Sequence, residues 1–217
     1  MAERREILNA SSVAGKVMAT KSETHERILR KATELLQRFG PRKTAVADIA
    51  HELEMSPANI YKFFPSKRAL IDAVAERRLM MLRQDLVAVI RSEKTAFERI
   101  EDLVRAVATS FQTMFEENEL LEIELTRDLL EIEAMGRAKK WQCLEEFHAF
   151  LRSALTTLVR AGVEAGEMHV ADPAETAEAL FDCLIWVIEP LLLLREPKAV
   201  SARRLERQFR LLARALA

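Results

Sequence analysis

Apolar residues recur at helical spacing along most of the chain, and the alternation typical of a β-strand is missing from the pattern. The first predicted helix covers about 24–39. Its apolar face carries Ile28, Leu29, Ala32, Leu35, Leu36 and Phe39. Gly40 stands where a helix is expected to end, and Pro41 prevents its continuation. Two short helices are predicted next, at about 45–53 and 56–64.

The remaining pattern predicts longer helices and a break over residues 166–173. Ser66 can cap a fourth helix, which reaches about Arg91 and is long enough to connect two domains. Further helices are predicted at about 96–117, 119–134, 137–165, 173–195 and 201–216. We therefore expect an all-α fold of about nine helices, in which a three-helix N-terminal domain is joined by the long helix to a larger helical domain. The expected limits are 1–21 for a mobile arm, 22–68 for the first domain and 69–217 for the second.

Composition fits a globular protein with a buried core, because 49% of the 217 residues are hydrophobic and 31% are charged. Cys143 and Cys183 stand alone within helical patterns, which favours reduced core thiols in a cytoplasmic protein over a disulfide. Residues 1–20 do not resemble a secretory leader, and no apolar run is long enough to span a bilayer. We therefore expect a cytoplasmic location and no membrane partner.

Charge is divided unevenly along the chain. Residues 1–68 contain 13 Lys and Arg against 8 Asp and Glu, which gives +5, whereas the remainder contains 20 against 26, which gives −6. A basic segment on an acidic body is typical of a molecule that presents one end to phosphates. A split of this size also arises by chance, so it decides little by itself.

The segment 44–67 has the spacing of a helix-turn-helix, whose second helix can enter the major groove of DNA. Ser56 is a suitable N-cap for that helix, and Pro57 suits its first position. Ile60 and Phe64 lie four residues apart and are expected to face inward, which leaves the outer face for other contacts. The alternative interpretation is a packed three-helix bundle with a solvated basic face.

The outward side chains of this segment predict two kinds of DNA contact. Asn59 can pair with an adenine edge, and Pro57 and Ala58 can contact a thymine methyl group. Tyr61 and Lys67 suit phosphate oxygens, and Lys67 also lies near a helix N-terminus that favours anions. The expected DNA-contacting residues are Arg42, Lys43, Thr44, Ser56, Pro57, Ala58, Asn59, Tyr61, Lys62 and Lys67.

From Ile28 to Val74 the chain resembles the DNA-binding domain of the TetR family of transcriptional repressors. The matching positions are Gly40, Thr44, Val46, Ile49, Ala50, Ser56, Ile60, Tyr61, Phe64, Pro65, Ser66, Lys67 and Leu70. The resemblance implies a supporting helix over 44–53 and a recognition helix over 56–64. It also implies that Tyr61 and Lys67 take the family's phosphate-contacting positions.

Three residues depart from the family pattern. Glu54 stands where glycine is common, in a turn expected to need a positive φ, which costs about 1 kcal/mol for a residue with a side chain. Ala45 stands where Thr or Ser is usual, so we expect capping and one phosphate contact to move to Thr44. Phe63 stands where His or Tyr is common, and exchanges a polar DNA contact for an apolar one.

The second domain is expected to dimerise and to hold a small ligand. The stretch 184–188 is apolar on nearly all sides, which indicates cover by its own domain and by a second subunit. The resemblance implies a homodimer through about 173–216 that binds a palindromic site. Aromatic and methionine side chains in the body suit a ligand cavity, although core packing is the competing interpretation for each of them. The candidate pocket residues are Phe111, Met114, Phe115, Trp141, Phe147 and Trp186.

The sequence lacks a recognisable catalytic constellation, a glycine-rich phosphate loop and metal-ligand spacing, so we expect no enzyme, metal or cofactor. The predicted function is a DNA-binding transcriptional regulator. The resemblance implies a repressor that a small apolar or amphipathic effector releases from double-stranded DNA. One alternative is a constitutive DNA-binding or protein-interaction module without a ligand. A helical enzyme is a further alternative, which needs a polar cluster inside the body.

Overall fold

The computed structural model describes residues 2–116, 142–193 and 198–217, and all regular structure within them is helical. The elements are α1 (Ala2–Lys43), α2 (Val46–Glu52), α3 (Pro57–Tyr61), α4 (Lys67–Ile90), α5 (Ala96–Glu116), α6 (Gln142–Glu164), α7 (Pro173–Ile188), α8 (Pro190–Leu193) and α9 (Lys198–Leu216). The all-α prediction is confirmed. The helix predicted at 119–134 lies outside the described residues. The chain forms two compact units, Met1–Ala75 and Glu76–Ala217, so the boundary falls seven residues after the predicted one.

The helical run α1 is longer than predicted and is interrupted at Gly40. The backbone of Gly40 has φ 75° and ψ 163°, outside the helical region, so the predicted stop at this residue is confirmed. Residues 2–21, for which we predicted a mobile arm, form the first half of α1. The prediction missed this helix because it relied on an apolar stripe, whereas the Ala, Glu and Arg residues here favour helix intrinsically. The mobility of the segment stays a prediction.

The first unit packs α1, α2, α3 and the start of α4 around one core. Its buried side chains are Ile28, Leu29, Ala32, Leu35, Leu36, Val46, Ile49, Ala50, Ile60, Phe64, Leu70 and Val74. The predicted apolar face of α1 is therefore confirmed up to Leu36. Phe39 is 45% exposed, against the prediction, and it directly precedes the break at Gly40.

The second unit builds its core from α5, α6 and α7, with Leu82 and Leu86 of α4 and side chains of α9. Asp172 caps α7 as predicted, since its carboxylate accepts hydrogen bonds from the N–H groups of Ala174 (2.8 Å) and Glu175 (3.2 Å). The single helix predicted over 173–195 is divided at Glu189, which has φ −87° and ψ 114°. The following residue is proline, which disfavours helical backbone at the residue before it and lacks an N–H of its own.

The apolar centre of α7 is already covered within one chain. Leu184, Val187 and Ile188 are at most 1% exposed, and Trp186 is 7% exposed. Side chains of the same unit therefore bury most of this stretch, whereas Ile185 is half-buried, and cover by a second subunit stays a prediction. The apolar stripe predicted for α9 is confirmed by the burial of its residues Leu205, Phe209 and Leu216.

Neither cysteine is fully buried, against the expectation of two core thiols. Cys143 is half-buried and Cys183 is exposed, because it lies on the outer side of α7 next to the exposed Asp182. Within the described ranges, no helix combines the length and apolarity that a membrane crossing requires.

Candidate nucleic-acid interface

The chain between α1 and α2 is held by Thr44. This residue is 2% exposed, and its hydroxyl lies 2.9 Å from the carbonyl oxygen of Gly40 and 3.1 Å from that of Leu35, both as acceptors. The expectation that Thr44 caps α2 and contacts phosphate is therefore wrong, because its hydroxyl is buried and already donates to backbone carbonyl oxygens of α1. The α2 N-cap is Ala45, whose N–H donates a 2.7 Å hydrogen bond to the carboxylate of Asp48.

The turn between α2 and α3 contains a strained residue. Glu54 has a φ of 54°, and among the described non-glycine residues it is the one whose φ is positive. The positive φ predicted for this turn position is therefore confirmed. The turn is closed by the N–H of Met55, which donates to the carbonyl of Ala50 at 2.8 Å. The turn sets the angle between α2 and α3. The strained residue Glu54 therefore lies in the segment that orients α3.

The helix α3 begins as predicted and buries the predicted side. Oγ of Ser56 accepts a 3.3 Å hydrogen bond from the N–H of Asn59, and Pro57 is the first helical residue. Ile60 is 0% exposed and Phe64 is 4% exposed, so the inward pair is confirmed. The helix itself covers 57–61 and is shorter than the predicted 56–64.

The opposite side of α3 is open to solvent. Pro57, Ala58 and Lys62 are exposed, Tyr61 is 47% exposed, and Asn59 is half-buried. These side chains provide a small apolar edge, an amide, a phenol and an ammonium group, which are chemically suited to contacts with base edges and phosphates.

The start of α4 adds an anion-favouring element to the same unit. Lys67 is the first residue of α4 and is half-buried, and the preceding Ser66 accepts a 3.0 Å hydrogen bond from the N–H of Ala69. Ser66 is thus the N-cap, as predicted. The positive end of the helix dipole and the Lys67 ammonium both favour a phosphate there. Lys43 is also exposed, whereas the side chain of Arg42 lies outside the described part of the structure.

One lysine of the first unit is committed to internal ion pairs. The ammonium of Lys31 lies 2.7 Å from Glu34 and 3.6 Å from Glu52, so it joins α1 to the end of α2. The hydrogen bond with Glu34 raises the pKa of Lys31 above its ordinary value. Lys31 therefore supports the geometry of the helix pair and is not a candidate for DNA contact.

Sequence reasoning missed His25 as a neighbour of the recognition helix. Its ring stacks on Phe64 with centroids 4.7 Å apart, and lies 6.4 Å from the ring of Phe63. The available signal was its position three residues before Ile28 and four before Leu29, at the edge of the α1 core stripe. The pattern of one helix does not show which residues of another helix it meets.

The pocket candidates divide into described and undescribed residues. Phe111 and Phe147 are each 2% exposed and pack edge to face with centroids 6.1 Å apart. Trp186 is buried against α9, where Arg204 lies 4.2 Å from the centre of its ring. The three therefore have packing roles, and their contact with a ligand stays a prediction. Trp141 and the side chains of Met114 and Phe115 lie outside the described residues.

The second unit also contains a polar pair that the sequence did not reveal, in which His148 is buried and Glu189 is half-buried. Nε2 of His148 is buried without a hydrogen-bond partner and lies 3.7 Å from the carboxylate of Glu189, at the break between α7 and α8. Burial lowers the pKa of His148, and the nearby Arg152 lowers it further, whereas Glu145 opposes the shift. The neutral ring is therefore favoured, although the Glu189 carboxylate attracts a proton to it.

Comparison with known proteins connects both units to one family. The family model described as "Bacterial regulatory proteins, tetR family" matches residues 28–74, and the model described as "Tetracyclin repressor-like, C-terminal domain" matches residues 96–210, more than half of the chain. No curated protein matches this sequence.

Solved structures show the same fold at low sequence identity. A transcriptional regulator from Cytophaga hutchinsonii is 21% identical with a TM-score of 0.60, over 74% of this chain and 77% of that one. A TetR/AcrR-family regulator from Thermobifida fusca is 20% identical with a TM-score of 0.60, over 88% and 97%. A regulator from Saccharomonospora viridis in complex with choline is 20% identical with a TM-score of 0.60, over 87% and 94%.

The two family matches agree with the geometry of each unit. The first covers the supporting helix, the strained turn and the recognition helix, and the second covers most of the larger helical unit. The chain belongs to the TetR family of DNA-binding transcriptional regulators.

Proposed function

We propose that this regulator is a homodimeric repressor, which binds a palindromic operator through α3 and leaves it when a small molecule binds the second unit. The observation that carries the DNA-binding part is the division of α3 into a buried side, with Ile60 and Phe64, and an exposed side that begins at Pro57. A helix held on one side by its own core presents the other side without rearrangement.

The proposed docking assigns different tasks to the exposed residues. Asn59, Pro57 and Ala58 read base edges, and Tyr61 and Lys67 hold phosphates. Lys43, Lys62, Ser56 and the undescribed side chain of Arg42 complete the surface. Because phosphate contacts release bound counterions, affinity for any duplex should fall steeply as salt is added.

Replacement of single side chains tests this docking. Lys67→Ala and Tyr61→Phe should each weaken binding to every duplex, and Lys67→Ala should reduce the slope of log affinity against log salt by about 0.9 per contact. Lys94→Ala is the matched control, because Lys94 lies 2.5 Å from Asp102 in the second unit and has no role in the docking. A Lys67→Ala protein with the parental affinity and slope would show that the docking is wrong.

The proposed dimer interface is the outer surface of α7 and α9. Leu211 is 68% exposed and Val200 is 48% exposed, and they are apolar residues on a helix whose other exposed positions are largely arginines. The exposed part of α7 carries Glu175 and Asp182. In a two-fold dimer the acidic side of α7 can meet the basic side of the partner's α9, so the surface is complementary to itself.

An exposed charge placed on this surface tests the interface. Leu211→Glu should shift the protein from dimer to monomer in sedimentation equilibrium, because it buries an unpaired carboxylate at the contact. Met80→Glu is the control, since Met80 is also exposed, at 54%, but lies on α4. If Leu211→Glu remains dimeric, the interface lies elsewhere.

The effector part of the proposal rests on the aromatic body of the second unit and on the long helix α4. Phe111 and Phe147 provide an apolar wall, and the Saccharomonospora viridis regulator of this fold was solved with choline. The helix α4 contributes Leu70 and Val74 to the first core and Leu82 and Leu86 to the second, so a ligand that shifts α4 changes the recognition unit.

A ligand screen distinguishes the repressor from a constitutive DNA-binding module. A compound that raises the melting temperature of the purified protein should also lower its affinity for operator DNA, because the two bound states are linked. A compound that saturates the protein and leaves operator affinity unchanged would support the constitutive module instead.

A further inference from the structure

The imidazole of His25 is fixed beside the end of the recognition helix. Its ring stacks on Phe64 at 4.7 Å with planes 30° apart, and meets Phe63 at 6.4 Å with planes 55° apart. Phe64 is 4% exposed and belongs to the core of the first unit, so the platform beneath the imidazole is rigid. Packing of this kind restricts the ring before any ligand binds.

The two phenylalanines place His25 next to the proposed phosphate-binding groups. They directly follow Tyr61 and Lys62, which are exposed, and they precede Lys67 at the start of α4. His25 itself is half-exposed. Within the described residues its ring makes these two aromatic contacts and no hydrogen bond or ion pair. The ring nitrogens of His25 are therefore available to bind a ligand near Tyr61, Lys62 and Lys67.

We propose that His25 is a DNA-phosphate contact contributed by α1, oriented by its stack on Phe64. The inference rests on the docking proposed above and adds a second helix to the DNA-binding surface. An imidazole N–H donates a hydrogen bond to a phosphate oxygen, and a protonated ring adds charge to the contact. Because the stack already limits the side chain, little conformational entropy is lost on binding.

The test separates the ring from its nitrogen atoms. His25→Phe keeps an aromatic ring on Phe64 and removes both nitrogens. With a duplex recovered from genomic DNA by the parental protein, we expect about tenfold weaker binding for this variant. The melting temperature should stay close to the parental value. His51→Phe is the matched control, because His51 is an exposed histidine on α2 of the same unit.

A second variant tests whether the position of the donor matters. Phe63 lies against His25, so Phe63→His places an imidazole in the neighbouring position. Combined with His25→Phe, it should restore most of the lost affinity and salt dependence. Because an imidazole at position 63 can contact DNA by itself, Phe63→His is also measured in the parental protein. An equal gain in affinity in the parental and the His25→Phe backgrounds, or no rescue at all, overturns the inference.

Lys67→Ala, measured in parallel, separates this inference from the docking itself. If Lys67→Ala weakens binding and His25→Phe does not, His25 is not a phosphate contact and the docking stands. If neither variant changes affinity or salt dependence, both proposals are overturned. Weaker binding of both Lys67→Ala and His25→Phe, with the His25→Phe loss rescued by Phe63→His, supports the inference and the docking together.

Discussion

The indole Nε1 of Trp186 donates a 2.6 Å hydrogen bond to Oε1 of Gln208 and so joins α7 to α9. The same amide donates through Nε2 to the carbonyl oxygen of Cys183 at 3.0 Å. Arg204 covers the indole from the other helix, with its guanidinium carbon 4.2 Å from the ring centre. One glutamine therefore satisfies two groups of α7, next to the surface that we propose for dimerisation.

Replacement of this glutamine should destabilise the second unit. Gln208→Leu leaves the Trp186 N–H without its acceptor in a side chain that is 7% exposed, so the free energy of unfolding should fall by about 1–3 kcal/mol. Urea denaturation followed by circular dichroism measures the change. In the Trp186→Phe background the same substitution should cost less, because the donor is already gone. Equal losses in both backgrounds would show that the bond contributes nothing.

The turn of the DNA-binding unit offers a stabilising substitution. Glu54 has φ 54°, where glycine is unstrained and other residues are not. Glu54→Gly should therefore raise the free energy of unfolding by up to about 1 kcal/mol. Glu54→Ala is the control, because it removes the charge and keeps the strained backbone, and it should give no gain. If alanine stabilises as much as glycine, the charge of Glu54 and not its backbone is the unfavourable feature.

The features predicted from sequence are those that local rules determine. Gly40, the Ser56 cap, the inward pair Ile60 and Phe64, and the positive φ of Glu54 follow from turn chemistry and helical spacing, and the structure has them all. These rules act within a few residues, so a single segment contains the information that they need.

The features that sequence reasoning missed depend on neighbours from other helices. The buried hydroxyl of Thr44 donates to the backbone carbonyl oxygens of Leu35 and Gly40 in α1. His25 meets Phe64 only because α1 lies against the end of α3. The break at Glu189 had a local cause in the following proline, but the continuous apolar pattern obscured it.

The stability of the second unit should depend on pH through His148. Burial lowers its folded-state pKa below the ordinary value of 6.5, so the unfolded state binds more protons as the pH falls below that value. Stability from the neutral ring is complete above pH 6.5 and is lost as the pH falls through the folded-state pKa. The groups around the ring are Phe181, Glu145, Arg152 and Glu189.

A histidine replacement isolates this contribution. As the pH falls from 8 to 5, the free energy of unfolding of the wild type should decrease relative to that of His148→Phe. His51→Phe is the control, because His51 is an exposed histidine on α2. Curves for wild type and His148→Phe that stay parallel over this range would contradict the prediction.

Base recognition is assigned to one amide. Asn59→Ala should leave binding to unrelated duplexes unchanged and should reduce discrimination at one base step by about 1–3 kcal/mol, because a paired hydrogen bond to a base edge is lost. Binding to a set of operators substituted one base pair at a time measures this effect. If Asn59→Ala weakens binding to all sequences equally, Asn59 contacts the backbone and not a base.

Sequence preference in DNA binding tests the central claim, the exposed side of α3, most directly. Fragments selected from genomic DNA by the purified protein should share an inverted repeat, whose two halves are about one helical turn apart or a multiple of it. In competition at about 150 mM salt, the account predicts that such a duplex is bound at least about 1,000-fold more tightly than a shuffled duplex of the same composition. Equal affinity for the selected and shuffled duplexes would contradict it.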